Sequence, residues 1–253
     1  MNLKDKVVLI TGSSQGIGKE TALLFAKGGA HIVVTYHLGA KKGEEVFKEC
    51  NKITKSLLVR LDVTDEKSIK KCVEGVIDEF GAIDILINNS GVIIWKNFLE
   101  QSNKEIDFQI DTNLKGLVKM AKAVLPFMKA QDSGIIINIS SRAGKSGQVD
   151  LTTYCGTKFG VRGFTQALAK ELPSGIKIFS VNPGMTATQM TNFQGIKPIK
   201  VAEVILKTAT EEIKADELGD VDVWKHVVES KPADVYYTAK KKIGEFFGGD
   251  GKG

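Results

Sequence analysis

The chain has little of what would make a metal centre, a disulfide scaffold or a membrane anchor. Among 253 residues there are three cysteines (Cys50, Cys72, Cys155) and three histidines (His31, His37, His226). The cysteines form no CxxC pair and their number is odd, which argues against a disulfide framework. Neither residue type falls into ligand spacing, so no metal site is expected. Long apolar runs are also missing. The first, Val7–Ile10, is much shorter than the apolar region of a signal peptide. No run approaches the roughly 18 apolar residues that read as a membrane span. The expectation is a chain with no membrane partner in a reducing, cytoplasmic setting. Charge of one sign is scarce too. A net +5 is too small a surplus to call for nucleic acid, though it suits an anionic ligand. A Lys-rich tail is present, but no aromatic platform is interleaved with a basic groove, so a nucleic-acid partner is not expected.

What is present is a regular alternation. Short, mostly apolar runs at Val7–Ile10, His31–Thr35, Ser56–Leu61, Ile83–Asn88, Ile135–Ser140 and Lys177–Asn182 read as strands covered on both faces. Between them, apolar spacing near 3.6 predicts helices at Ile17–Gly28, Ala40–Asn51, Glu66–Phe80, Asn103–Lys129 and Thr153–Leu172. Repeated strand–helix units imply a parallel sheet with right-handed crossovers. Thr191–Lys200 reads as a loop, Val201–Lys214 as another helix, and Gly219–Val228 as a final strand. The spacing predicts one α/β domain over 1–228. A Lys-rich tail over 229–253 ends in GGDGKG, and its last residues are expected to be disordered.

Gly12-Ser13-Ser14-Gln15-Gly16-Ile17-Gly18 follows the first strand and opens the first helix. Glycines let a backbone turn tightly and approach a phosphate, and a helix N-terminus favours negative charge. The spacing differs from the nucleotide-triphosphatase loop, where a Ser or Thr would stand in place of Glu20. Dinucleotide sites expect an acid about 20 residues on, against the ribose hydroxyls. Here the second strand ends Thr35-Tyr36-His37-Leu38 without one, and Lys41 and Lys42 follow. The absent carboxylate removes repulsion against a 2′-phosphate, so NADP(H) is favoured over NAD(H), with Tyr36 and His37 placed at that end.

Tyr154 and Lys158 are four residues apart near the start of a predicted helix, and so share one face. A neighbouring cation favours a phenolate. Lowering a phenol by about 3 pH units takes ~4 kcal/mol, which an ammonium together with a nicotinamide cation would supply. Such a phenol exchanges protons with an alkoxide. Ser140 and Ser141 stand at a strand's carboxyl end, where open parallel sheets bind their ligands.

These motifs together resemble the short-chain dehydrogenase/reductase family, over residues 5 to about 215, and its 3-oxoacyl-ACP reductases in particular. Thr11–Gly18, Asn88-Asn89-Ser90-Gly91, Asn113, Ser141 with Tyr154 and Lys158, and Asn182-Pro183-Gly184 occur in the family's order. The resemblance implies a Rossmann-type doubly wound parallel sheet with helices on both faces. It implies an NAD(P)(H)-dependent oxidoreductase of the alcohol/carbonyl class (EC 1.1.1.-) acting on a small-molecule substrate. Tyr154 would be the general acid/base, and Lys158 would lower its pKa and hold the nicotinamide ribose. Ser141, thirteen residues before Tyr154 as in the family, would bind the substrate oxygen. Asn113 would kink its helix and hold a proton-relay water. Gly12, Ser14, Gln15, Gly16, Ile17 and Gly18 would cradle the pyrophosphate. Asp62 and Val63 would meet the adenine, Asn89, Ser90 and Gly91 the adenosine side, and Pro183, Gly184 and Thr188 the nicotinamide. A homodimer or homotetramer through Leu114–Met128 and Thr153–Leu172 is also implied.

The chain departs from the family in a few places. Ser90 replaces the usual Ala, Cys155 follows the tyrosine as a small packing residue or an oxidisable thiol near the site, and the segment after Thr188 is short for a substrate lid. The competing reading is a non-catalytic nucleotide-binding or sensing protein on the same fold; its sign would be a broken Asn113–Ser141–Tyr154–Lys158 tetrad, and all four are present.

Overall fold

The computed structural model describes residues 2–227. Seven strands form one parallel sheet: β1 (Val7–Ile10), β2 (His31–Tyr36), β3 (Ser56–Arg60), β4 (Ile85–Asn88), β5 (Gly134–Ile139), β6 (Ile176–Asn182) and β7 (Asp220–Asp222). Their order is β3-β2-β1-β4-β5-β6-β7. Strand order therefore reverses between β1 and β4, and a cleft opens there beyond the carboxyl ends of the strands.

The strands read as apolar runs because each side of the sheet has its own core. Val8 and Ile10 of β1 face one cluster, and Val7 and Leu9 face the other. Ile135, Ile137 and Ile139 of β5 join the first, Ile136 the second. The first cluster is closed by α1 (Gly16–Lys27), α2 (Ala40–Asn51) and α7 (Pro198–Ala209) through Phe25, Val46 and Ile205. The second is closed by α3 (Glu66–Phe80), α5 (Gly116–Ala130) and α6 (Thr152–Ala169) through Val73, Met120 and Phe164. Each fully buried aliphatic side chain contributes about 1.5–3 kcal/mol. The two-sided layering is thus the main source of stability. This is the parallel sheet that the alternation implies, in the doubly wound, Rossmann-type α/β arrangement that the resemblance implies.

Local chemistry sets several boundaries. Asp65 caps α3 by accepting from the Lys67 N–H at 3.0 Å, and Gly81 ends it at φ +75°. Ser102 and Glu105 form a reciprocal capping box at α4 (Asn103–Ile110), which satisfies two otherwise orphaned donors. Four expectations shift. The helix foreseen over Asn103–Lys129 is interrupted by a π-turn at Asp111–Lys115, so α4 and α5 are separate. The last helix begins earlier, at Pro198, because proline suits a first helical turn; it ends at Ala209. The final strand covers only Asp220–Asp222 before a 3₁₀ turn at Val223–Lys225. The loop after Thr188 contains a 3₁₀ turn at Gln189–Thr191. The tail at 229–253 lies outside the described residues, and no helix among those described is long and apolar enough to cross a membrane.

Candidate active site

A cavity of about 1320 Å³ runs along the carboxyl ends of the strands. Its first half is the turn from β1 into α1. Gly12 and Gly16 hold positive φ, +64° and +57°, a region costly for residues with a Cβ. A Cβ on Gly12 would sit 2.9 Å from Ser90 Oγ. Polar side chains clamp the turn from behind. The Gly12 N–H donates to Thr35 Oγ1 at 2.9 Å, and the Thr35 N–H to Ser13 Oγ at 2.8 Å. Asn89 Nδ2 donates to the carbonyls of Thr11 and Gly12 at 2.9 and 3.1 Å, while the Asn89 and Ser90 N–H groups both donate to Thr11 Oγ1. At the helix start, Gln15 is the N-cap but makes no capping hydrogen bond, and the first turn has no acidic residue. An N-terminus left so, facing a cavity, is suited to an anion.

Of the residues expected in this half, Gly12, Ser14, Gln15, Gly16, Ile17, His37, Asp62, Val63, Asn89, Ser90 and Gly91 line the cavity. Gly18 and Tyr36 do not. Gly18 lets the helix lie against the strand: a Cβ there would come within 2.5 Å of the Gly12 carbonyl. The Tyr36 ring is turned onto α2, against the face of Gly43. His37 Nε2 lies 3.3 Å from Asp62. Burial works to raise the Asp62 carboxyl, yet two hydrogen bonds from Thr64, with His37 and Arg60, hold it below its ordinary value. Lys42 lines the cavity and donates to Gln15 Oε1 at 2.9 Å.

The second half gathers the ionisable groups. Tyr154 and Lys158 lie one turn apart on α6, and both line the cavity while almost wholly buried. The Lys158 ammonium stands 5.6 Å from the Tyr154 ring centre and donates to the Ile139 carbonyl at 2.9 Å. Burial lowers Lys158 to about 8. Burial also pushes the Tyr154 phenol up to about 12, against the pull of a hydrogen bond from Ser141. In the protein itself desolvation dominates, and the phenol is held protonated.

Ser141 and its neighbour divide the work. Ser140 Oγ donates to the Lys158 carbonyl at 2.9 Å and so ties α6 to β5. Ser141, in extended backbone, accepts from the Ala143 N–H at 3.1 Å and lines the cavity beside Tyr154. Asn113 is buried behind the cavity wall, in the π-turn. It accepts from the Val92 N–H at 2.7 Å and donates to the Val92 carbonyl at 2.8 Å and to Thr157 Oγ1 at 3.2 Å. The helix is indeed distorted at Asn113, and its side chain holds the Gly91–Val92 segment against α6. Pro183, Gly184 and Thr188 line the cavity. Thr188 lies over the glycine turn, where a Cβ on Gly16 would meet its Cγ2 at 3.2 Å.

Sequence reasoning missed the network that braces this half. Asp220 and Asp222 on β7 are buried, and both accept from Asn182 Nδ2 at 3.1 Å. Arg162 grips Asp220 through Nε and also donates to the Gly144 carbonyl at 2.8 Å. Lys145 reaches Asp222 at 2.6 Å, and Lys225 joins at 3.1 Å. The network ties the turn after Ser141 to the corner before Pro183. Arg162 one turn beyond Lys158, and two aspartates flanking Val221 in a short strand, were the available signals.

Comparison with known proteins agrees with this architecture. A family model described as short chain dehydrogenase matches residues 6–197. An uncharacterized oxidoreductase of Staphylococcus saprophyticus is 38% identical over 205 residues, covering 79% of this chain and 81% of its own. A 3-oxoacyl-[acyl-carrier-protein] reductase of Staphylococcus epidermidis is 37% identical over 190 residues, 74% of this chain and 78% of the relative. One from Thermotoga maritima is 36% identical over 230 residues, 84% and 93% respectively.

Proposed function

The chain belongs to the short-chain dehydrogenase/reductase family, an oxidoreductase family, and from that premise we propose that it interconverts a carbonyl and an alcohol with NADP(H) in preference to NAD(H). One observation carries the reading: a buried phenol, Tyr154, bonded by Ser141 with the Lys158 ammonium 5.6 Å from its ring, shares one cavity with an uncapped helix N-terminus. A glycine turn with no room for a Cβ at Gly12, and with no acid in the first turn of α1, fits a pyrophosphate. Lys42, together with the lack of a carboxylate after β2, supports a 2′-phosphate. When bound, the nicotinamide supplies or accepts the hydride.

The side chains manage the proton. In reduction, Ser141 and Tyr154 would bind the substrate oxygen, and the phenol, protonated across the neutral range, would donate as negative charge develops there. In oxidation the phenol must first give up its proton. The high value set by burial means that the oxidised cofactor's positive charge has to join Lys158 in stabilising the phenolate. Lys158, near 8, would steady the ribose side while charged. Asn113 and the Asp220–Arg162 network would keep the parts in register. A homo-oligomer in the cytoplasm and a small-molecule substrate complete the proposal; the reductases named among the relatives make acyl thioesters one class to try.

The test is a panel of carbonyl compounds followed by loss of reduced-cofactor absorbance, with Tyr154→Phe alongside. Turnover by the wild type that vanishes in a variant still binding cofactor is the expected result. Undiminished turnover by the variant would remove Tyr154 from the chemistry.

A further inference from the structure

We propose that Arg142 recognises a carboxylate on the substrate, so that this enzyme acts on oxo acids with an apolar body. The inference rests on the carbonyl-reducing reading above. Arg142 directly follows Ser141 and lines the same cavity. Among the described residues its guanidinium has no carboxylate within ion-pair distance. It lies instead over the Trp224 ring, 5.7 Å from the ring centre. Lys145, which meets the same Trp224 ring, belongs to a network in which Asp220 and Asp222 are already engaged by Arg162, Lys145, Lys225 and Asn182. Three cations therefore surround two buried carboxylates, and among the described residues Arg142 forms no ion pair with them. An aromatic plate orients its fork without neutralising it, which leaves the planar donor pair free for a bidentate anion.

Large apolar side chains also line the cavity. Phe108, Met190 and Phe193 line the cavity and stay 52%, 41% and 69% exposed. Apolar walls with a guanidinium beside Ser141 that no carboxylate among the described residues neutralises fit a hydrophobic oxo acid. Its carbonyl carbon would take the hydride from the reduced cofactor, which is oxidised. The carbonyl oxygen would take the Tyr154 proton, and the carboxylate would stay unchanged on Arg142.

The experiment compares 4-oxo-4-phenylbutanoate and 5-oxo-5-phenylpentanoate with their methyl esters, by kcat/KM, in the wild type, Arg142→Met and Arg142→Lys. A charge-assisted, bidentate pair is expected to favour at least one acid over its ester by about tenfold or more in the wild type. Arg142→Met removes that preference, leaves ester turnover and NADPH affinity within about threefold, and Arg142→Lys retains part of it. Equal turnover of acids and esters by the wild type, or equal losses on both in Arg142→Met, overturns the proposal while the oxidoreductase reading stands. No turnover of these compounds or of any carbonyl in the wider panel, by protein that binds NADPH, overturns both.

Discussion

In the glycine-rich half of the cavity, Thr11, Ser13, Thr35 and Asn89 bond to one another's backbone, and what faces the cavity is largely shape. In the half around Tyr154, the two central side chains are ionisable and buried, and each has few partners. The first half works by where it has no atoms, the second by how it holds a charge out of water. The contrast says how each should fail: the first through binding and fit, the second through rate and pH dependence.

The largest expected effect lies in the second half. Tyr154→Phe should lower kcat by about 10³-fold, within the range for loss of a general acid, with cofactor affinity unchanged by fluorescence titration. A comparable loss of affinity would blur the division. Gly18→Val is the matching change in the first half. Even a Cβ there would meet the Gly12 carbonyl at 2.5 Å, so cofactor affinity should fall about 100-fold, or ~2.7 kcal/mol. Normal binding would mean that the turn has slack it does not show.

Lys158→Met sharpens the comparison through stability. Lys158 has a folded value of about 8 against an ordinary 10.5. Between those values the unfolded chain holds a proton that the folded chain has lost, so stability rises with pH across that window. Below 8 the full cost stands, roughly 3 kcal/mol at ~1.4 kcal/mol per pH unit. The Met variant should be less active yet more stable near pH 7, by roughly 1–2 kcal/mol after losing the bond to Ile139. Denaturant melts at pH 7 and pH 10 check this, the gain shrinking at the higher pH. The smallest effect belongs to Lys42→Ala, an exposed cation by Gln15. It should cut the preference for NADPH over NADH by about threefold; an unchanged ratio would place the selectivity elsewhere.

The architecture was largely legible because period and burial coincide: strands covered on both faces read as apolar runs, and helices between them as spaced stripes. The Tyr154–Lys158 pair and the glycine turn were legible because both are local in the chain. Long-range consequences were not. That burial raises the Tyr154 phenol depends on how tightly α6 is covered, and periodicity does not report that. Asn113 as a buried strut requires knowing that Val92 comes to meet it. Tyr36 turning onto Gly43 depends on the packing of α2. The Asp220–Asp222 brace unites residues some 40 to 75 positions apart, beyond the reach of any local motif.

The central claim is that the protein alone keeps the Tyr154 phenol protonated far above neutrality and that bound oxidised cofactor brings it down. The direct measurement is a near-ultraviolet phenolate titration of the wild type minus Tyr154→Phe, with and without NADP⁺. The account predicts that Tyr154 ionises well above the ordinary phenol value of 10 in the free protein, at about 12, with a clear downward shift on adding NADP⁺. A phenolate signal titrating at or below 10 without cofactor would contradict it.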